Sequence, residues 1–358
     1  NIYNKTPCIY FLSLCNVFNF FSCFILGTLV FWMVTHQIML LAENIFNRGN
    51  IFGLDRKTLQ VYIGEALAND NEPDILVNID SYILLGGFIE TFIDHLIRGD
   101  LKYDSKSIAM SYLNFAENLK NYEGGILANT KRYIDEINNL GNTLRKLGYK
   151  IRFMISERTC GVELYFMGRT EFLRSHADRK INEWLSEGIN EILVTSPFEF
   201  VLYRDRFAQQ FTLGTPKLVF YPELLTHHQI SLSFKDNTRV LYIEPYETPV
   251  TMFPKDLRQK TLSAIKLIED LLNNIKNLLI AESRTFDPPF SYEQIWIINP
   301  LVAVGIAKNI LEKAQEYDTI ITLRTSTAII LRAVARILDF DIEILDYVEA
   351  ISRALLGE

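Results

Sequence analysis

SERTCGVELYFMGRTEFLRSHADRKINEWLSEGINEILVTSPFEF (residues 156–200) reads as a turn, a helix, a buried strand and a second turn in succession. The helix is TEFLRSHADRKINEWLSEG (170–188), with apolar residues at helical spacing, and the strand is NEILVTS (190–196), a short apolar run. A helix feeding a strand that is apolar on both faces is the unit of a parallel sheet. The same alternation extends on either side. Upstream stand the helix TKRYIDEINNLGNTLRKLG (130–148) and the strand YKIRFMI (149–155); downstream stands the strand PKLVFY (216–221).

A second round follows in the same order. RVLYIEP (239–245), QIWII (294–298), DTIITL (318–323) and DIEILD (341–346) read as strands. Between and after them TLSAIKLIEDLLNNIKNLL (261–279), AVGIAKNILEKAQEY (303–317), TAIILRAVARIL (327–338) and VEAISRALL (348–356) read as helices. Two α/β units in tandem imply an internal duplication of domain size rather than a short solenoid repeat. Residues 46–118 read as helical, through LDRKTLQVYIGEAL and SIAMSYLNFAENL, with a break at NDNEPD (69–74).

The chain has 358 residues, enough for two or three domains. With 49% hydrophobic and 22% charged residues it is neither disordered nor fibrous. A net charge of -7 without a basic block argues against nucleic-acid binding. The four cysteines (Cys8, Cys15, Cys23 and Cys160) form neither a disulfide framework nor a zinc-type pair. Residues 6–42 contain no Asp, Glu, Lys or Arg, a run longer than the 18 or so apolar residues that suggest a spanning helix. Residues 1–45 are therefore expected to anchor the chain in the cell membrane through a transmembrane helix. Arg48, Arg56 and Lys57 after it place the bulk of the chain on the cytoplasmic side.

The wording around Cys160 resembles the cysteine-rich "CCG" domains of iron–sulfur subunits. These include the catalytic subunits of heterodisulfide reductase and the iron–sulfur subunits of glycerol-3-phosphate, lactate and glycolate dehydrogenases. Thr159-Cys160-Gly161 stands where that family has CCG, and Ser196-Pro197-Phe198-Glu199 where it has CPxC, with residues 161–195 as a spacer of the family's length. The earlier single cysteine falls at Gly125. In the second copy Tyr246 takes the place of the cysteine of D-P-C, the second cysteine pair falls near Asp287-Pro288, and Arg324 and Thr327 take the CPxC positions. Upstream, Asp80 to Phe92 resembles CxxCxxCxxxC of a ferredoxin, with Tyr82, Leu85, Phe88 and Phe92 at the four cysteine positions.

The resemblance implies an α/β protein with a membrane segment (1–45), a helical ferredoxin-like remnant (46–118) and two CCG-type domains (119–230 and 231–358). Of the positions that would ligate iron, only Cys160 keeps a thiol. Iron–sulfur clusters are held by converging thiolates, and Tyr, Leu, Phe and Gly offer no equivalent. The expectation is a cluster-free, non-catalytic subunit of a membrane-bound redox or respiratory complex. Its partners would be the other subunits, a cysteine-complete paralogue or flavoprotein among them, and the lipid membrane. The alternatives are an active electron-transfer subunit that keeps an iron–sulfur cluster, and a sensor that binds an anion or small ligand in the former cluster cleft.

Other chemistry is thinly supported. Cys160 with Ser196, Glu199 and a histidine is a poor zinc set, because Thr159 and Gly125 beside it are not ligands. A Cys160 nucleophile would need His176 or His95 beside it, whereas a small buried thiol needs no partner. His227-His228 reads as loop rather than as a metal pair, since neighbouring side chains diverge. Arg324-Thr325-Ser326-Thr327 reads first as a helix N-cap and second as an anion-binding turn.

Overall fold

The computed structural model describes residues 38–101, 108–156, 158–207, 216–228, 230–244, 253–285 and 299–357. Its skeleton is two parallel four-stranded sheets. The first joins β1 (Ile75–Asn78), β2 (Ile151–Met154), β3 (Glu191–Val194) and β4 (Lys217–Phe220) in the order β2-β1-β3-β4. The second joins β5 (Ser233–Glu244), β6 (Lys276–Thr285), β7 (Thr319–Thr322) and β8 (Glu343–Asp346) in the order β6-β5-β7-β8. Both orders are the same when each half is counted from its own first strand, which is the duplication expected from the sequence. In β1 and β7 all four residues are buried, as strands covered on both faces must be. Leu76 pairs with Arg152 on one side and Ile192 on the other, and Ile320 with Leu241 and Ile344.

The helices carry the rest, numbered in chain order. Residues 38–48 form α1. In the first half follow α2 (Arg56–Ile63), α3 (Ser81–Arg98), α4 (Ile108–Glu117), α5 (Glu123–Lys146), α6 (Val162–Phe166), α7 (Thr170–Ser186), α8 (Pro197–Val201) and α9 (Tyr221–His227). In the second half come α10 (Lys255–Asn273), α11 (Pro300–Ala314), α12 (Thr325–Leu338) and α13 (Tyr347–Leu356). The halves meet where α3 packs on α12 and α5 on α13.

Two expectations need correction. Residues 46–118 are not an all-helical unit, because β1 lies inside them and is an inner strand of the first sheet. The turn NDNEPD delivers the chain to it, with the Asp74 amide on the Lys150 carbonyl at 2.8 Å, and Asp80 then caps α3 through its Oδ1 on the Tyr82 amide at 2.8 Å. The first sheet thus reaches back across the boundary placed at residue 119.

The helix read over 261–279 ends at Asn273, and Lys276–Thr285 is a strand. Asn277 has a positive φ of 64° and its amide donates to the Phe234 carbonyl at 2.9 Å. Asparagine tolerates that left-handed conformation, so the run of asparagines here turns the chain rather than continuing the helix. QIWII, read as the strand in this place, lies outside the described residues.

Residues 1–37 of the expected membrane segment also lie outside the described residues. Its last turns do not stand apart from the protein: Leu41, Ala42 and Ile45 on α1 are buried in the core, and Phe46 stacks on Phe172 with ring centroids 4.6 Å apart. Among the described residues no helix is long and apolar enough to cross a membrane.

Candidate functional site

In both sheets the strands run parallel, so their C-terminal ends share one edge, and the crevice beyond that edge is where open α/β sheets bind ligands. Here the C-terminal ends of β1, β3, β7 and β8 face one another across the two halves. They enclose a small cleft lined by Asp80, Tyr82, Cys160, Ser196, Glu199 and Arg324, among others.

From the first half, Ser196 caps α8 by accepting the Glu199 amide at 3.3 Å, with Pro197 in the first turn. This holds the Glu199 carboxylate inward, where Oε1 meets the Lys180 ammonium at 3.0 Å and Oε2 accepts from the Asn78 side chain at 3.0 Å. Lys180 is 1% exposed and Glu199 3%, so the pair is fully withdrawn from water. Burial is the largest effect and works against the Lys180 charge, but its acidic neighbours, Glu199 first and Glu183 among them, together hold the ammonium above the usual lysine range. Trp184 completes the chain of contacts by donating from Nε1 to Asn78 Oδ1 at 3.0 Å.

Beside it, Glu163 accepts from the Tyr82 hydroxyl at 2.8 Å and from Thr159 Oγ1 at 3.0 Å. The Cys160 carbonyl accepts from Tyr203 at 3.1 Å. Burial, with the Glu163 and Glu199 carboxylates beside it, pushes the Cys160 thiol well above its usual range, so it stays protonated and a poor nucleophile. His176 donates no proton to chemistry either. Burial lowers it to about 4, and its Nε2 lies 2.9 Å from the Thr159 carbonyl, the geometry of a neutral ring donating to that oxygen.

The second half contributes Arg324, whose guanidinium lies over the Phe198 ring at 4.1 Å, a cation–π contact across the cleft. Thr325 Oγ1 donates to Asp346 at 2.6 Å, and Tyr347 donates to the Thr195 carbonyl. The halves are therefore pinned together at the cleft itself.

The sequence-derived positions divide into three groups. Tyr82, Thr159, Cys160, Ser196, Glu199 and Arg324 come together at or beside the cleft. Leu85, Phe88 and Phe92 do not: they lie further along α3, within 1% of full burial, in the core. Phe92 stacks on Tyr112 at 4.7 Å and Phe88 meets Tyr62 edge-on at 5.2 Å. Thr327 is buried in the first turn of α12. Gly125 is on α5 against Thr91, away from the cleft; the residues that reach it from the first strand are Asp80 and Ser81. Tyr246 and Asp287-Pro288 lie outside the described residues.

Sequence reading missed Asn78, Lys180 and Glu163. Lys180 carried a signal, since His176, Lys180 and Trp184 share one face of α7 at intervals of four, and a lysine on a buried face requires a partner. Glu163 carried none, because a glutamate in a short helix is ordinary.

An iron–sulfur cluster does not fit these residues. The donors that converge are carboxylate, hydroxyl, ammonium and guanidinium groups with one thiol held protonated, while cluster iron takes soft thiolates. The cleft has about 30 Å³ of room, a water molecule's worth. Among the described residues no group of three or more His, Cys, Asp or Glu is placed to hold a metal ion.

No family model matches the chain, and no curated protein matches it. Among solved structures, it is similar to an aspartate racemase homologue from Pyrococcus horikoshii at 12% identity, over 79% of this chain and 97% of that one, with a TM-score of 0.27. It is also similar to an ABC transporter periplasmic solute-binding protein from Actinobacillus succinogenes, solved with bound D-allose, at 13% identity, over 60% of this chain and 72% of that one, with a TM-score of 0.20.

Proposed function

We propose that this chain is a cluster-free, non-catalytic relative of the CCG-domain iron–sulfur subunits, acting as an accessory subunit of a membrane-bound redox complex. One observation carries the reading. Positions that the resemblance assigns to cluster ligands in both halves, Tyr82, Cys160, Ser196, Glu199 and Arg324, meet in a single cleft, yet bring oxygen and nitrogen groups and one protonated thiol in place of converging thiolates. A shared cleft is what a family with ligands from two domains requires, and its conversion to a buried Lys180–Glu199 pair and a Phe198–Arg324 stack keeps the shape while removing the electron path. An accessory subunit would use the outer surfaces of the two halves to hold neighbouring subunits, which leaves the cleft free to become a structural joint.

The test is anaerobic purification of the tagged full chain from native membranes, with iron and acid-labile sulfide assayed and co-purifying chains identified. The expected result is no stoichiometric iron or sulfide, together with a cysteine-complete paralogue or a flavoprotein in the eluate. Stoichiometric iron and sulfide with absorption near the visible–ultraviolet boundary would replace this reading with that of an electron carrier.

A further inference from the structure

A second, larger cleft of 340 Å³ lies where α3 and α5 of the first half meet α12 and β8 of the second. Its floor is Arg332, 4% exposed, which donates from Nε to the Ile344 carbonyl at 2.9 Å and pairs with Glu136 at 2.7 Å and Glu349 at 2.5 Å. Arg132 and Arg336 flank it, 42% and 45% exposed. Each is held by a buried carboxylate: Arg132 Nε by Glu136 at 3.1 Å and Arg336 Nη1 by Glu90 at 2.8 Å, with Asn129 accepting from the same Nη1. Arg132 places a second donor, Nη2, on the Ile344 carbonyl at 3.0 Å. That leaves Nη1 of Arg132, and Nε and Nη2 of Arg336, with no partner among the described residues. A guanidinium fixed on one side and open on the other is oriented for an oxyanion before any ligand arrives.

We propose that this cleft binds a small organic oxyanion, its carboxylate or phosphate head held between Arg132 and Arg336 above Arg332, and its compact apolar body against Ala335 and Phe340. The volume is at the lower end of ligand pockets, about 300–1,000 Å³, which excludes nucleotides and long chains. Charge favours an anion: three guanidinium groups line the cleft against the two carboxylates of Glu90 and Glu343. Behind them Arg332 is already paired with Glu349 at 2.5 Å, while Glu136 is pushed up to about 8 by burial, so the donors open to a ligand are those of Arg132 and Arg336. Because Arg132 belongs to the first half and Arg332 and Arg336 to the second, a bound head group would also brace the two halves. The inference stands apart from the accessory-subunit reading and survives its failure.

The test is calorimetric titration of the full chain with phenyl phosphate, benzoate and inorganic phosphate. Saturable one-to-one binding of phenyl phosphate or benzoate is expected, tighter than that of inorganic phosphate, and the better of the two organic probes assigns the head group. Arg336→Gln and Arg132→Gln should each weaken it about tenfold or more, the effect of losing a charge-assisted hydrogen bond, while Lys217→Gln, at the exposed first residue of β4, leaves it unchanged. The two flanking variants are read separately, so loss of fold in one leaves the other decisive. No saturation by either organic probe, or equal affinity in both arginine variants and the parent chain, overturns the proposal.

Discussion

Gly161 has a φ of +82° and caps α6, a conformation that costs an L side chain about 1–2 kcal/mol. A Cβ built there would stand 3.0 Å from Leu173 Cδ1 and 3.0 Å from His176 Cδ2, and both side chains are buried. Gly161→Ala is therefore expected to lower stability by about 1–3 kcal/mol, the backbone cost with a modest crowding cost added. Urea unfolding followed by circular dichroism measures it, and an unchanged midpoint would count against the left-handed turn. The same residue explains why the wording Thr-Cys-Gly was readable at all. Its glycine is demanded by the left-handed backbone at the start of α6.

At the scale of the element, α3 shows what the sequence concealed. Tyr82, Leu85, Phe88 and Phe92 recur at three- and four-residue intervals, a spacing shared by a cluster motif and by the buried face of a helix. The fold resolves the ambiguity, because α3 is one unbroken helix of 18 residues whose neighbouring glycines admit α5. A Cβ on Gly87 would lie 2.1 Å from Thr130 Oγ1, 2.9 Å from the Thr130 backbone nitrogen and 3.0 Å from the Ile126 carbonyl. Main-chain atoms do not swing aside, so Gly87→Ala should cost about 2 kcal/mol or more, although alanine is the better helix former by about 1 kcal/mol. Gly124→Ala on α5, where a Cβ meets nothing within 4 Å, is the matched control and should be neutral or slightly stabilising. Thermal melts of the pair decide; equal melting temperatures would mean that α3 and α5 are not in close contact. Strands and helices whose apolar runs are long, such as TAIILRAVARIL and EILV, were legible because burial alone specifies them. β1 and β6 were not, since ILVN has four residues behind a polar turn, and the start of NLLIAESRT extends the apolar pattern of the preceding helix although the chain has already turned by Asn277.

The whole molecule is held across its two halves by charge as well as by apolar packing, and this makes its stability a function of pH. Glu136, Glu349 and Arg332 form one buried cluster between α5, α12 and α13. Glu136 is raised from 4.5 to about 8, burial outweighing its arginine neighbours. Glu349 is also penalised by burial, but Arg332, Arg132 and Arg353 together bring it below the ordinary range. For Glu136 the folded state keeps a proton that the unfolded chain sheds, so its contribution is complete below about 4.5 and is lost as pH rises through about 8. Glu349 acts in the opposite sense and stays ionised throughout the neutral and alkaline range. His176, lowered from 6.5 to about 4, gives stability that is complete above about 6.5 and is lost as pH falls through about 4. The two arms overlap and oppose each other between about 4.5 and 6.5, so the joint contribution of these two groups is flat there and falls on either side. From there up to about pH 8 the parent chain should lose stability with a limiting slope of about 1.4 kcal/mol per pH unit for this one proton. Glu136→Gln keeps the shape of the protonated acid and has no proton to lose. Its stability relative to the parent should grow steadily from about pH 6 to about pH 8, flattening the alkaline arm and leaving the acid arm of His176 in place. Denaturant midpoints across that range distinguish the cases: a variant whose alkaline arm falls in parallel with the parent's would mean that Glu136 is already ionised at neutral pH, and that Arg332 joins the halves as an ordinary ion pair.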